Sequence, residues 1–168
     1  MQLLIVRHAI AEDRDQHAAS GQDDALRPLT REGRVKMKQA AEGLRELVKT
    51  LDVLATSPLV RAVQTAEIIA AVFGKPKPVP VPALAPGQPP EETAAWLRGL
   101  RDPGTAAVVG HEPDLGILVG WLVAGTGSSM IDLKKGAACL LDVHGPPAAG
   151  QATLLWALTP GQLRRIRG

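Results

Sequence analysis

Leu3, Leu4, Ile5 and Val6 form an unbroken apolar run between Gln2 and Arg7, the pattern of a short strand buried on both faces. A polar stretch follows as far as Leu29 and reads as loop. From Thr30 to about Leu51 the spacing becomes helical: Val35, Met37, Leu44, Leu47 and Val48 recur with Ala40 and Ala41 between them, and Thr30 stands as N-cap before Arg31-Glu32. Leu51–Thr56 is a second short apolar run. After Ser57-Pro58 a helix is expected from about Leu59 to Phe73, closed by Gly74 and Pro76. Glu91–Arg101 predicts a helix, Ala106–Val109 the next buried strand, and Pro113 opens a helix to about Ala124. Ala137–Val143 and Ala152–Leu158 flank a Gly-Pro-Pro turn region and predict an antiparallel hairpin. Strands alternating with helices imply an α/β fold. The expected architecture is a three-layer sandwich with a mostly parallel central sheet, an antiparallel C-terminal edge hairpin and helices on both faces.

Lys75–Pro90 interrupts the alternation, because seven of the 14 prolines fall there and exclude a regular helix. Val79–Val81 is expected as an edge strand within a long loop, and long loops in small domains tend to carry function. The whole chain, 168 residues, has the length of one domain, and no shift in composition divides it. The expectation is a single domain over 1–168 without a large capping insertion.

Composition narrows the chemistry. Lys and Arg number 19 against 17 Asp and Glu, and the basic residues are dispersed except for Lys134-Lys135 and Arg164, Arg165 and Arg167, so no nucleic-acid partner is expected. Three Trp, one Phe and no Tyr leave little for base or sugar stacking; Trp96, Trp121 and Trp156 lie in apolar patterns and are expected in the core. One cysteine, Cys139, excludes an intramolecular disulfide and a cysteine-based zinc cluster, and is expected as a small buried hydrophobe. The N-terminus lacks the basic and apolar regions of a signal peptide, and Leu115–Gly125 is too short to span a bilayer. A cytoplasmic protein with no membrane partner is expected. His17 and His144, among polar residues or beside glycine, read as exposed.

Residues with chemistry recur at one structural address, just beyond the carboxyl ends of predicted strands. Arg7-His8 follows the first, Arg61 comes shortly after the second, and His111 follows the third. In open α/β sheets this edge is where ligands bind. Two arginines and two histidines facing one point make a pocket for a dianion, because guanidinium forks match phosphate oxygens. The neighbouring arginine charge is expected to lower the His8 pKa, leaving a neutral imidazole able to attack phosphorus.

Leu4-Ile5-Val6-Arg7-His8-Ala9 resembles the Arg-His-Gly signature of the histidine phosphatase (phosphoglycerate mutase-like) superfamily, with Ala9 in the glycine's place. Pro28-Leu29-Thr30-Arg31-Glu32-Gly33, Ser57 through Ala66 and Val108-Val109-Gly110-His111-Glu112-Pro113 are similar to its further landmarks, in order. The short length, the Arg-His-Ala-Ile-Ala-Glu start and the closing Trp156–Pro160 resemble the SixA-type phosphohistidine phosphatases. That resemblance implies His8 as nucleophile, Arg7 gripping the phosphoryl oxygens, and Arg61 and His111 completing the pocket, with neither metal nor cofactor. Arg27, just before the Pro-Leu-Thr landmark, is a candidate phosphate or substrate contact.

The chain departs from the wider family at the general acid. Many members carry a Leu-x-Glu pattern after the second helix, where this sequence reads Leu84-Ala85-Pro86. Losing the acid disfavours an alkoxide leaving group and favours phosphohistidine, whose imidazole leaves readily once protonated. Asp24 is the candidate proton donor, with Glu12 and Asp13 behind it. The function implied is a metal-independent phosphatase acting on a phosphorylated histidine phosphotransfer domain or phosphocarrier protein. A small-molecule phosphomonoester phosphatase or mutase competes with it, as does a non-catalytic phosphate-binding regulatory module.

Overall fold

The structure, a computed structural model, describes residues 1–101 and 103–167. Strand β1 (Gln2–Arg7) is apolar throughout its centre because both its faces are covered: Leu4 and Val6 point into one core, Leu3 and Ile5 into another. On one side of it lie β4 (Thr105–Gly110), β2 (Val53–Thr56) and the edge strand β3 (Val79–Pro80), all parallel. On the other, β5 (Ala138–Val143) and β6 (Ala152–Leu158) run antiparallel. The order is β3-β2-β4-β1-β5-β6, the mostly parallel sheet with an antiparallel edge hairpin that the pattern predicts.

The polar stretch before Leu29 is not all loop. Asp13 accepts hydrogen bonds from the Asp15 and Gln16 amides and starts the short helix α1 (Arg14–Ala19), and a 3-10 turn follows at Asp24–Leu26. Neither has enough length or apolar period to show in the pattern.

Helix α2 (Arg31–Leu47) is capped by Thr30 as expected, the Gly33 amide donating to Thr30 Oγ1 at 2.9 Å, but it stops short of Leu51. Val35, counted among its apolar positions, is 54% exposed. Helix α3 (Val60–Phe73) ends at Gly74, whose left-handed conformation (φ 81°) suits a residue without Cβ. Helices α4 (Pro90–Arg98) and α5 (Asp114–Ala124) follow, and an unexpected helix α6 (Pro160–Ile166) closes the chain. Its sequence signal is a capping box, Thr159 with Gln162, and Pro160 in the first turn.

The two faces of the sheet are covered separately. Met37, Leu44, Ile69 and Leu163 bring α2, α3 and α6 onto one side, while Leu97, Leu118 and Leu122 bring α4 and α5 onto the other. Gly43 allows α6 to lie on α2, since a Cβ there would fall on the Leu163 carbonyl. The tryptophans, expected in the core, are half-buried at its margins: Trp156 against the first cluster, Trp96 and Trp121 against the second. Cys139 is fully buried, and burial pushes its thiol up to about 12. Among the described residues no helix is long and apolar enough to cross a membrane.

Candidate active site

The three parallel strands end level with one another. Arg7 pairs with Gly110 and Thr56 with Val109; beyond them the His8 amide donates to the Gly110 carbonyl at 3.0 Å and the Ser57 amide to the Val109 carbonyl at 2.9 Å. His8, Ser57 and His111 therefore emerge side by side, and Arg61 reaches them from the first turn of α3. Arg7, His8, Arg61 and His111 all line one cleft of about 460 Å³, with the two imidazole centroids 5.1 Å apart.

The state of each imidazole follows from its surroundings. His8 Nδ1 lies 2.8 Å from the Ala9 carbonyl, which can only accept, so Nδ1 carries the hydrogen and Nε2 the lone pair. Burial first, then the charges of Arg61, Arg7 and Lys135, lower the His8 pKa to about 4 against the opposing Ala9 hydrogen bond. The expected lowering is thus present, but desolvation rather than Arg7 is its main cause. His111, with Nε2 2.8 Å from Ser57 Oγ, is lowered to about 3 by burial and by the charges of His8 and Arg61. Both rings are neutral at pH 7.

The arginines are held from behind. Arg7 Nη1 donates to the Leu133 carbonyl at 2.6 Å. Arg61, 3% exposed, donates from Nη1 to the Asp24 carbonyl at 2.9 Å and places Nη2 3.2 Å from the Asp24 carboxylate. Arg27, which also lines the cleft, donates from Nε to Asp24 Oδ1 and from Nη1 to the Glu12 carbonyl, both at 2.8 Å. Burial works to raise Asp24, but the Arg27 hydrogen bond and the charges of Arg61, Arg27 and Arg14 outweigh it and hold the carboxyl below its usual range. An ionised carboxylate behind the arginines does not fit the proton donor considered from the sequence; this geometry makes Asp24 their anchor. Asp13 is occupied as the α1 N-cap. Glu12 Oε2 lies 3.7 Å from Nδ1 of His17, a residue of α1 that is buried rather than exposed, with Nε2 3.1 Å from the Asp23 carbonyl.

Three further residues of the cleft wall were not among the site residues expected from the sequence. Pro86, from the proline-rich loop, stands there with no proton to give. Lys135 arrives because antiparallel β5 begins where β1 ends. Glu112, next to His111, accepts from the Leu133 amide at 3.1 Å and the Gly116 amide at 3.3 Å, and burial raises its pKa. Its adjacency to a strand-end histidine was the available signal. Three buried nitrogens of the cleft residues, Arg7 Nε, Arg61 Nε and His111 Nδ1, have no partner among the described residues. Two guanidinium groups beside two imidazoles in one cleft suit an oxyanion guest, whose oxygens accept from the guanidinium forks.

The family model of the histidine phosphatase superfamily (branch 1) matches residues 3–85. An uncharacterised protein from Picosynechococcus is 38% identical over 137 residues, covering 80% of this chain and 81% of its own. Phosphohistidine phosphatase SixA from Escherichia coli is 29% identical over 170 residues and 99% of both chains. The chain belongs to the histidine phosphatase superfamily. Its fold matches a structure of the protein histidine phosphatase SixA complexed with tungstate, with a TM-score of 0.82, 26% identity, and coverage of 97% of this chain and 99% of that one. The superfamily segment contains Arg7, His8 and Arg61, whereas His111 lies beyond it and is delivered by β4.

Proposed function

We propose that this member of the superfamily hydrolyses phosphohistidine on a protein, with His8 as nucleophile. Nε2 of neutral His8 attacks phosphorus while the bond from phosphorus to the substrate imidazole breaks, and that imidazole takes its proton from water. Arg7, Arg61 and His111 bind the transferring oxygens. Water then attacks phospho-His8, releasing inorganic phosphate and restoring the lone pair.

The observation that carries the reading is the state of the carboxyls around the cleft. Asp24 is ionised among arginines, Asp13 caps a helix, Glu12 turns its carboxylate to His17 at 3.7 Å, both Glu112 oxygens accept backbone amides, and Pro86 contributes none. Such a cleft suits a leaving group that needs little help from an acid. The likeness to SixA over the whole chain supports the same substrate, and the absence of a large insertion suits a protein surface. The favoured partner is a phosphorylated histidine phosphotransfer domain or phosphocarrier protein. Hydrolysis of small phosphomonoesters is the second reading, and the raised pKa of Glu112 is what favours it.

The test is turnover with chelator present. Phosphohistidine is expected to be cleaved well ahead of alkyl monoesters, acid-labile phosphate to be trapped on His8, and His8→Ala to lose at least about 10³-fold in kcat. Full activity of His8→Ala, or a preference for alkyl esters, overturns the reading.

A further inference from the structure

Two basic clusters of the sequence, Lys134-Lys135 and Arg164-Arg165-Arg167, are far apart along the chain. The fold brings one member of each together. Strand β5 starts, and β6 ends, at the sheet edge that carries His8: Ala138 pairs with both Val6 and Leu158. Lys135, just before β5, and Arg164, on α6 just after β6, consequently line one pocket of about 200 Å³. Ile10, Met37 and Pro160 contribute apolar wall.

This pocket adjoins the phosphoryl cleft. Lys135 lines both, and the Gly136 amide lies 3.2 Å from the Arg7 carbonyl and 3.1 Å from the His8 carbonyl. Lys36, a third cation of the pocket, is ion-paired with Glu32, and Lys134 pairs with Asp132. Lys135 and Arg164 have no ion-pair partner among the described residues.

We propose that this pocket is a second anion subsite, which takes the carboxylate side chain of a substrate protein close to its phosphohistidine. The proposal rests on the phosphohistidine reading of the cleft. A glutamate or aspartate has the two parts the pocket matches, an aliphatic stem for the apolar wall and a carboxylate for Arg164 and Lys135. A protein surface with an acidic residue beside its phosphohistidine engages both sites at once; a bare small phosphate engages the cleft alone.

The test uses synthetic phosphohistidine peptides, identical except that Glu or Gln stands at each near position on either side. The wild-type protein is expected to favour the best Glu peptide over its Gln counterpart by about 5- to 10-fold in kcat/KM, through KM, with the ratio shrinking as salt rises. Arg164→Met is expected to bring the ratio to about 1 while leaving turnover of the Gln peptide intact, and Arg164→Lys to restore part of it. Arg164→Glu should turn the preference towards Lys-flanked peptides. Equal turnover of Glu and Gln peptides by the wild type, or a ratio undiminished in Arg164→Met, overturns the subsite alone. Acceptance of alkyl monoesters with no peptide cleaved overturns the phosphohistidine reading and the subsite with it.

Discussion

At the scale of residues, the cleft depends on what stands behind its cations. Leu133 joins Glu112 to Arg7: its amide donates to the Glu112 carboxylate and its carbonyl receives Arg7 Nη1. Glu112→Gln removes the charge from both hydrogen bonds and turns an NH2 towards one of the two backbone amides, which is left without an acceptor, a loss of ~1.5–3 kcal/mol for a charge-assisted hydrogen bond. The expected outcome is about a tenfold fall in kcat/KM carried by KM, because Arg7 is less well placed to grip the phosphoryl group. Steady-state kinetics with phosphohistidine decide it. A loss confined to kcat and to alkyl monoesters would instead make Glu112 a proton donor. Arg7, His8, Arg61 and His111 were legible from the sequence because each stands at a strand's carboxyl end or shortly after it. The partners of Asp24 were not, since an arginine on α3 and another beyond a 3-10 turn meet it only in the folded chain.

At the scale of elements, short apolar runs and helical periods located every strand and the helices α2 to α5. The reason is that a two-sided sheet demands apolar residues on both faces of β1, β2 and β4. Elements carried by caps rather than by apolar periodicity escaped: α1, set by Asp13, and α6, set by Thr159 and Gln162. How closely α6 docks is governed by one residue on its neighbour. Gly43→Ala would drive a methyl into the Leu163 carbonyl, so α6 must shift away from α2. The expected cost is ~1–3 kcal/mol. Denaturant unfolding should show it as a lower midpoint at unchanged slope, and an unchanged midpoint would mean that α6 is free to move.

At the scale of the whole molecule, burying two neutral imidazoles side by side ties stability to pH. Histidines of the unfolded chain take up a proton near pH 6.5. In the fold His8 and His111 do so only near about 4 and about 3. Between these values the unfolded chain binds more protons, so their contribution to stability is fully present above about pH 6.5 and is lost as pH falls towards 4. Unfolding midpoints measured at pH 7.5, 6 and 5 are expected to fall in that order, while His8 in the folded protein stays neutral and competent at pH 5. Equal midpoints at all three values would show that the rings are solvated.

By itself the sequence determined the alternation of strand and helix and the two arginines and two histidines at the carboxyl ends of the strands. Each of these is read from neighbours a few positions apart, and the sheet rule then brings them to one edge. Tertiary structure alone decided which carboxylates are engaged, how strongly burial lowers His8 and His111, and that Lys135 and Arg164 share a pocket beside His8. Desolvation depends on everything packed around a group, and antiparallel pairing of β5 with β1 and β6 joins residues that no local spacing relates.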